Sequence, residues 1–518
     1  MSLLDVAALD RLQAEFRQSM KSLLLDLCRE LADDYAELTA QLDVPVNYFQ
    51  FVAHAFVERS YGNWKVVGWI ETLNDLVYFL DLLQQSRKER DPRGFAEELF
   101  AECEQKFFEN SYLDELFPQG RARSKGLAAR LQWLCVKLAR EVTQESLFFD
   151  PRWAIQWSRR RNLDRWEVSG TLDQHFERVE SPLTLPVGTT GDVLSAPASV
   201  VQAIGQTTQQ VIFEINRSGI ALKKGGRFPI CTIHGDQVKW QWGIRPAVTA
   251  AEGPRGPLTV GPTLRYGKHS QPQAVISTSP TLVTRIARAW RAIECAWPEG
   301  HEVLALLTSR VIPLKAKGVV SFSYRHRPGL SFINCFDRDN LDLIDDLIHE
   351  NSHHHLNLLL RKHVMYHGDR NQQIFYSPWR QSLRPIRGIL HATFTFTMGA
   401  LLFERLSTWG ERHEAAWREA GLTKRDLIRA RYRCLEEIES VRYSIQDLDY
   451  AGRHLKWLTG SGARLVRQLE EVIAKAEQRI TRHRDAVLRS TFGPALRKHI
   501  KELQQARQTY GPVQLSRA

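Results

Sequence analysis

The stretch Asp345-Asp346-Leu347-Ile348-His349-Glu350-Asn351-Ser352-His353-His354-His355-Leu356-Asn357-Leu358-Leu359-Leu360 contains neither Gly nor Pro. Together with Leu341 and Ile344 just before it, its apolar residues fall at helical spacing. The spacing predicts one helix from Asp339 or Asn340, either of which can serve as N-cap, to about Lys362. On such a helix His349 and His353 lie one turn apart on the same face, because 3.6 residues per turn brings i and i+4 into register. Two imidazoles on a rigid element can hold one metal ion, which is the physical content of an H-E-x-x-H pattern. The plain alternative is a solvated histidine-rich face in a chain that holds 17 His. The apolar helix around the motif weakens that alternative, as does an arginine-rich stretch about thirty residues downstream.

At 518 residues the chain has room for two to four domains and a large core. Its 43% hydrophobic and 25% charged residues are an ordinary globular composition. No unbroken run of apolar residues is long enough to predict a transmembrane helix, and Met1-Ser2-Leu3-Leu4-Asp5 lacks the basic start of a secretory signal. Seven scattered cysteines without a C-x-x-C argue against a disulfide framework or a thiolate zinc site and fit a reducing, cytoplasmic setting. The net charge of +11 is spread along the chain among acidic residues, which favours a solvated basic surface over a nucleic-acid or membrane partner.

The expected fold is α+β and mainly helical. Residues 1–145 read as a helical N-terminal region, with helices over Val6 to Leu42, Val66 to Gln85, Phe95 to Phe108 and Leu127 to Val142, and with Trp64, Trp69 and Trp133 in a core. Residues 146–318 read as a mixed region of loops and short strands such as Gln210–Ile215 and Val238–Trp242, with Ala250 to Gly267 a loop and Pro280 to Ala296 a helix. Residues 319–422 form the expected metal-site core. Val319–Tyr324 and Leu330–Cys335 read there as two strands joined by a turn at Pro328-Gly329, offering an edge to which an extended peptide can add. A loop from Gln372 to Trp379 and a helix from about Pro385 follow. Residues 423–518 read as charged helices, with a disordered tail from Pro512.

A metal with positions open for chemistry needs a third protein ligand. An extended motif would place Gly and His three and six residues after His353, where Leu356 and Leu359 stand. That leaves Glu404 and His391, both on the helix after Pro385. They are thirteen residues apart, and at roughly 100° per residue they fall on nearly opposite faces. His391 is favoured: it shares a face with Arg387, Phe394, Thr395 and Met398, whereas Glu404-Arg405 reads as a solvated pair. Arg380, Arg384 and Arg387 precede His391 within eleven residues. A peptidase has little use for several guanidiniums beside its metal, whereas a dicarboxylate co-substrate is held by such forks. Surface ion pairs with Asp337, Asp339 or Asp369 are the plain alternative.

The block Ser321-Phe322-Ser323, Pro328-Gly329, His349-Glu350-x-x-His353-His354-x-Leu356-Asn357, then Tyr376-Ser377-Pro378-Trp379-Arg380, Arg384-Pro385-x-Arg387-Gly388-x-x-His391 resembles the HExxH-type peptide β-hydroxylases. These are iron- and 2-oxoglutarate-dependent enzymes that modify ribosomally made peptides. The resemblance covers residues 319–400. It implies an Fe(II) held by His349, His353 and His391, with 2-oxoglutarate bound to the iron and its far carboxylate met by arginine, Arg387 before Arg384 and Arg380. It also implies dioxygen as oxidant and hydroxylation at a side-chain β-carbon of a bound peptide. Glu350 would then orient a ligand or a water, and His354 and His355 would be packing residues. Two other readings stay open: a zinc metallopeptidase with Glu350 as general base, and a peptide-binding protein without catalysis.

Overall fold

A computed structural model describes residues 3–42, 46–86, 143–174, 183–188, 191–205, 209–235, 237–253, 256–266, 272–275, 278–367 and 372–511, with 44, 94, 97, 98, 135 and 138 singly between them. The helices expected over 95–108 and 127–142, Trp133, and the tail expected from 512 lie wholly or almost wholly outside these residues. The architecture is the expected one, mainly helical with short central strands. Helices at Val6–Asp33, Ala36–Gln41, Val46–Ala55 and Trp64–Ser86 open the chain.

The first sheet is antiparallel. It contains β1 (Arg165–Gln174), β2 (Leu183–Val187), β3 (Asp192–Ser195), β4 (Gln209–Asn216), β5 (Gly219–Lys223), β6 (Arg227–His234), β7 (Gln237–Trp240) and β8 (Gly243–Arg245), in the order β7-β6-β5-β4-β1-β2-β3-β8. Its inner residues share one apolar core with the N-terminal helices, running from Met20 to Trp242. Trp153 is fully buried in it, edge-on to Tyr48 at 4.6 Å.

The segment expected as a loop, 250–267, is instead strand. It carries most of β9 (Val248–Gly253), β10 (Gly256–Val260) and β11 (Thr263–Tyr266), and β12 (Pro272–Val275) follows. Gly253, Gly256, Pro257, Gly261 and Pro262 sit at or next to strand ends, while Leu258, Val260 and Leu264 are buried. In the second sheet β13 (Arg310–Lys315) pairs along one edge with β10 and β11 and along the other, in parallel, with β15 (Leu330–Asn334). Every residue of β15 and the first five of β13 are buried, the signature of strands covered on both faces. β14 (Phe322–Ser323) pairs antiparallel with β15, shorter than the strand expected there, and Gly329 supplies the positive φ of the turn. The β13–β15 pairing crosses the division expected at residue 318. The expected loop over 372–379 is likewise corrected, because β16 (Phe375–Ser377) and β17 (Ser382–Arg384) close a hairpin.

The motif helix spans Asn340–Lys362. Asp339 caps it in a reciprocal capping box with Asp342, and Arg361 and Lys362 complement its C-terminal dipole. Beside it runs the helix Ile386–Arg412, followed by long helices at Lys424–Arg453, Gly460–Ile480 and Gly493–Tyr510. These share a second core, from Leu258 to Leu496, with the motif helix. Ile386–Arg412 is apolar and long enough to cross a membrane by composition alone, and 72% of its most apolar window is buried inside the fold.

His301, in the helix Pro298–Leu307, is buried edge-on to Trp290 at 5.0 Å, with its Nε2 lacking a hydrogen-bond partner. Burial holds its pKa below the ordinary value of 6.5. A depressed histidine contributes stability that is fully present above the unfolded pKa and is lost as pH falls below it. Substitution His301→Phe should therefore gain stability relative to the parent as pH falls from 7 to 5, measured by urea denaturation; an equal difference at both pH values refutes this.

Candidate metal centre

The motif helix lies between β15 and the helix Ile386–Arg412. Its apolar residues Leu341, Ile344 and Ile348 are at most 2% exposed, which turns the His349/His353 face toward the neighbouring helix. The two imidazole centres are 5.0 Å apart. One donor atom from each of His349, Glu350 and His353 lies within 4.8 Å of the others. His391 stands beside this set rather than in it, its ring centre 6.1 Å from that of His353. With metal–nitrogen bonds of roughly 2.1 Å, two imidazoles can share an ion only when their ring centres are at most roughly 6.4 Å apart. The 5.0 Å pair falls well inside that limit, whereas the 6.1 Å pair meets it only with a wide nitrogen–metal–nitrogen angle. The donors that come together are two imidazoles one helical turn apart and the carboxyl between them, a set whose chemistry fits a metal, while His391 faces it from across the helix pair.

The protonation states fit as well. Burial pushes His349 and His391 down to about 4, with nearby arginines adding to the effect, and holds His353, among other histidines, well below its ordinary value. Neutral imidazole is the form that binds a metal. All three keep partial exposure, whereas His354 and His355 are sealed. His354 lies 3.2 Å from Ser331 Oγ and His355 packs edge-on against Phe394, in the packing role expected for both. Glu350 is 2% exposed and its Oε2 has no hydrogen-bond partner. Burial lifts its pKa to about 8, against a hydrogen bond from Ser323.

Arginine surrounds the histidines on two sides. The charges of Arg433 and Arg380 act on His349, those of Arg387 and Arg325 on His391. Arg433 is already neutralised by Glu437 at 2.9 Å, Asp345 at 3.4 Å and Glu436 at 3.5 Å. Arg380, Arg384, Arg387 and Arg325 are exposed and make no ion pair among the described residues. The expected competitor Asp339 is taken by Arg429 at 2.5 Å. Arg384 turns along its own chain toward Gly388, so Arg380 and Arg387 are the expected arginines nearest the imidazoles.

Glu404 needs correction. It is not half of a solvated pair but 2% exposed, held by Arg479 at 3.1 Å in addition to Arg405 at 3.6 Å. Its helix position is polar in sequence, and only the later helix that brings Arg479 reveals why it is buried.

Sequence reasoning missed the wall of the site. Phe396 lies edge-on to His349 at 4.9 Å, and Trp379 stacks on Phe396 at 4.3 Å with planes 6° apart. Trp379 Nε1 donates to Glu437 at 2.8 Å. The i, i+4 pair Arg433/Glu437 was the available signal, but nothing in the sequence links it to Trp379, 58 residues earlier. The hairpin that carries Trp379 and Arg380 is fastened by Tyr376, which stacks on Tyr510 at 5.1 Å and meets Tyr443 at 5.8 Å. Arg507 covers the Tyr443 ring and pairs with buried Asp447.

Substitution Trp379→Ala strips a stacking face from Phe396 and a donor from buried Glu437. It should weaken metal binding roughly tenfold and cost about 3 kcal/mol of stability. Chelator competition and urea denaturation measure the two effects, and unchanged metal affinity would contradict the wall's role.

No family model matches the chain, and no curated protein does.

Proposed function

We propose that the chain is an Fe(II)- and 2-oxoglutarate-dependent oxygenase that hydroxylates a side-chain β-carbon of a ribosomally made peptide. The supporting observation is the pairing of the histidine set with two unpaired guanidiniums, Arg380 on the His349 side and Arg387 on the His391 side. His349 and His353, with His391 opposite, would hold the iron. When bound, iron with 2-oxoglutarate and dioxygen supplies the oxidising power for a C–H hydroxylation.

The chain's own residues do the rest. Arg387 meets the distal carboxylate of the co-substrate, with Arg380 the second cation at the rim; a fork of this kind fixes both position and orientation. Phe396 and Trp379 form a dry wall behind His349, which holds its ring and excludes water from one side of the site. Glu350, protonated near neutral pH, orients a water or a ligand through its unpartnered oxygen.

That same oxygen favours a second reading. A buried carboxyl with a free acceptor beside two histidines is the arrangement a zinc peptidase uses to activate water.

The two readings separate in one set of measurements. Anaerobic addition of Fe(II) and 2-oxoglutarate should give a weak visible charge-transfer band that His349→Ala abolishes. The variant Arg387→Ala should raise the co-substrate concentration needed by roughly tenfold or more, the loss of a charged hydrogen bond. Peptide cleavage with zinc, abolished by Glu350→Gln and independent of 2-oxoglutarate, would overturn the oxygenase reading.

A further inference from the structure

Between the N-terminal helices, the first sheet and the motif helix lies a cleft of about 690 Å³, within the roughly 300–1,000 Å³ of ordinary ligand sites. It is separate from the metal centre: His349, His353 and His391 do not line it. It comes close, however. His354 of the motif helix is in its wall, and so is Arg325, whose charge reaches His391.

The lining is unbalanced in charge. Arg17, Arg59, Arg152, Arg325 and Arg361 face it, against the carboxylates of Asp150 and Asp192. Three of the five are spoken for: Arg17 by Glu58 at 3.6 Å, Arg152 by Asp150 at 2.5 Å and Arg361 by Glu71 at 3.2 Å. Arg59 and Arg325 are exposed and have no ion-pair partner among the described residues. Such cations attract a carboxylate-bearing ligand and hold it by charge-assisted hydrogen bonds.

The other lining features select the kind of ligand. Val57 and Ile244 leave 46% and 47% of their surface to solvent and line the same cleft, where an apolar ligand side chain can cover them. Ile244 belongs to β8, an outer strand whose three residues are all exposed and whose sole partner among the described residues is β3. An unpaired strand edge offers main-chain hydrogen bonds in a row, which an extended peptide satisfies and a small metabolite does not. A nucleic acid would meet two carboxylates and apolar walls in place of a continuous basic track.

We infer that this cleft binds an extended acidic peptide segment along the outer edge of β8, with carboxylates at Arg59 and Arg325 and apolar side chains against Val57 and Ile244. This rests on the oxygenase reading only in taking the segment as part of that enzyme's peptide substrate, held apart from the residue that reacts. The binding itself needs no metal.

The test uses the full metal-free chain and fluorescence anisotropy with labelled peptides of roughly twelve residues, alternating Asp with Leu or Lys with Leu, beside a labelled oligothymidine. The acidic peptide should bind, more weakly at high salt, and both the basic peptide and the oligothymidine should bind at least tenfold less well. Arg59→Glu and Ile244→Asp, both at exposed positions, should each cost at least tenfold, with circular dichroism confirming that the variants are folded. His349→Ala should bind the acidic peptide as the parent does. Acidic-peptide binding by a chain that gives no charge-transfer band with Fe(II) and 2-oxoglutarate would leave this assignment standing and remove the oxygenase reading alone. Equal binding of the basic peptide, tighter binding of the oligothymidine, or full affinity in both cleft variants would overturn the assignment.

Discussion

The candidate metal site depends on the burial contact between the motif helix and the helix Ile386–Arg412. Ile344, Ile348, Leu390, Phe394 and Met398 are each at most 3% exposed, and complete burial of such side chains stabilises by about 1.5–3 kcal/mol apiece. That packing sets the spacing of the two backbones and brings His391 across from His353. It also strips water from the imidazoles, which is why they stay neutral. The same contact therefore supplies both the geometry and the protonation state that a metal requires.

Charge is then arranged around this apolar seam in two different ways. On the buried side, Arg433 is compensated by Asp345, Glu436 and Glu437, so its cation is used up in holding helices together. At the rim, Arg380 and Arg387 have no ion-pair partner among the described residues. A buried cation without partners would be costly, whereas an exposed one keeps its hydration until a ligand arrives. The exposed arginines, unlike Arg433, therefore keep their charge available to an incoming anion.

Much of this was legible in the chain itself. The motif helix ends where its spacing and caps placed it, Asp339 to Lys362, because an apolar period and a capping box are local signals. The helix carrying His391 was legible from its apolar period and from Pro385 at its start, and angular arithmetic alone shows that His391 and Glu404 cannot face one point. The burial of Glu404 was not, since its partner Arg479 comes from a helix far along the chain. The strands over 250–267 were hidden by their glycines and prolines, which mark turns between very short strands as readily as they mark a loop. The Trp379–Phe396 wall and the β13–β15 pairing are tertiary facts with no local signature.

The aromatic fastening of Tyr376 by Tyr443 and Tyr510 ties the arginine-bearing hairpin to the helix Gly493–Tyr510, far from the motif in sequence. That last helix thus acts as a latch: the rigidity of the rim is inherited from how firmly a distal element docks. Loosening the latch would release Arg380 and Trp379 together, and with Trp379 the stacking face that backs Phe396 and the His349 ring, so the rim arginine and the wall of the imidazoles move as one mechanical unit.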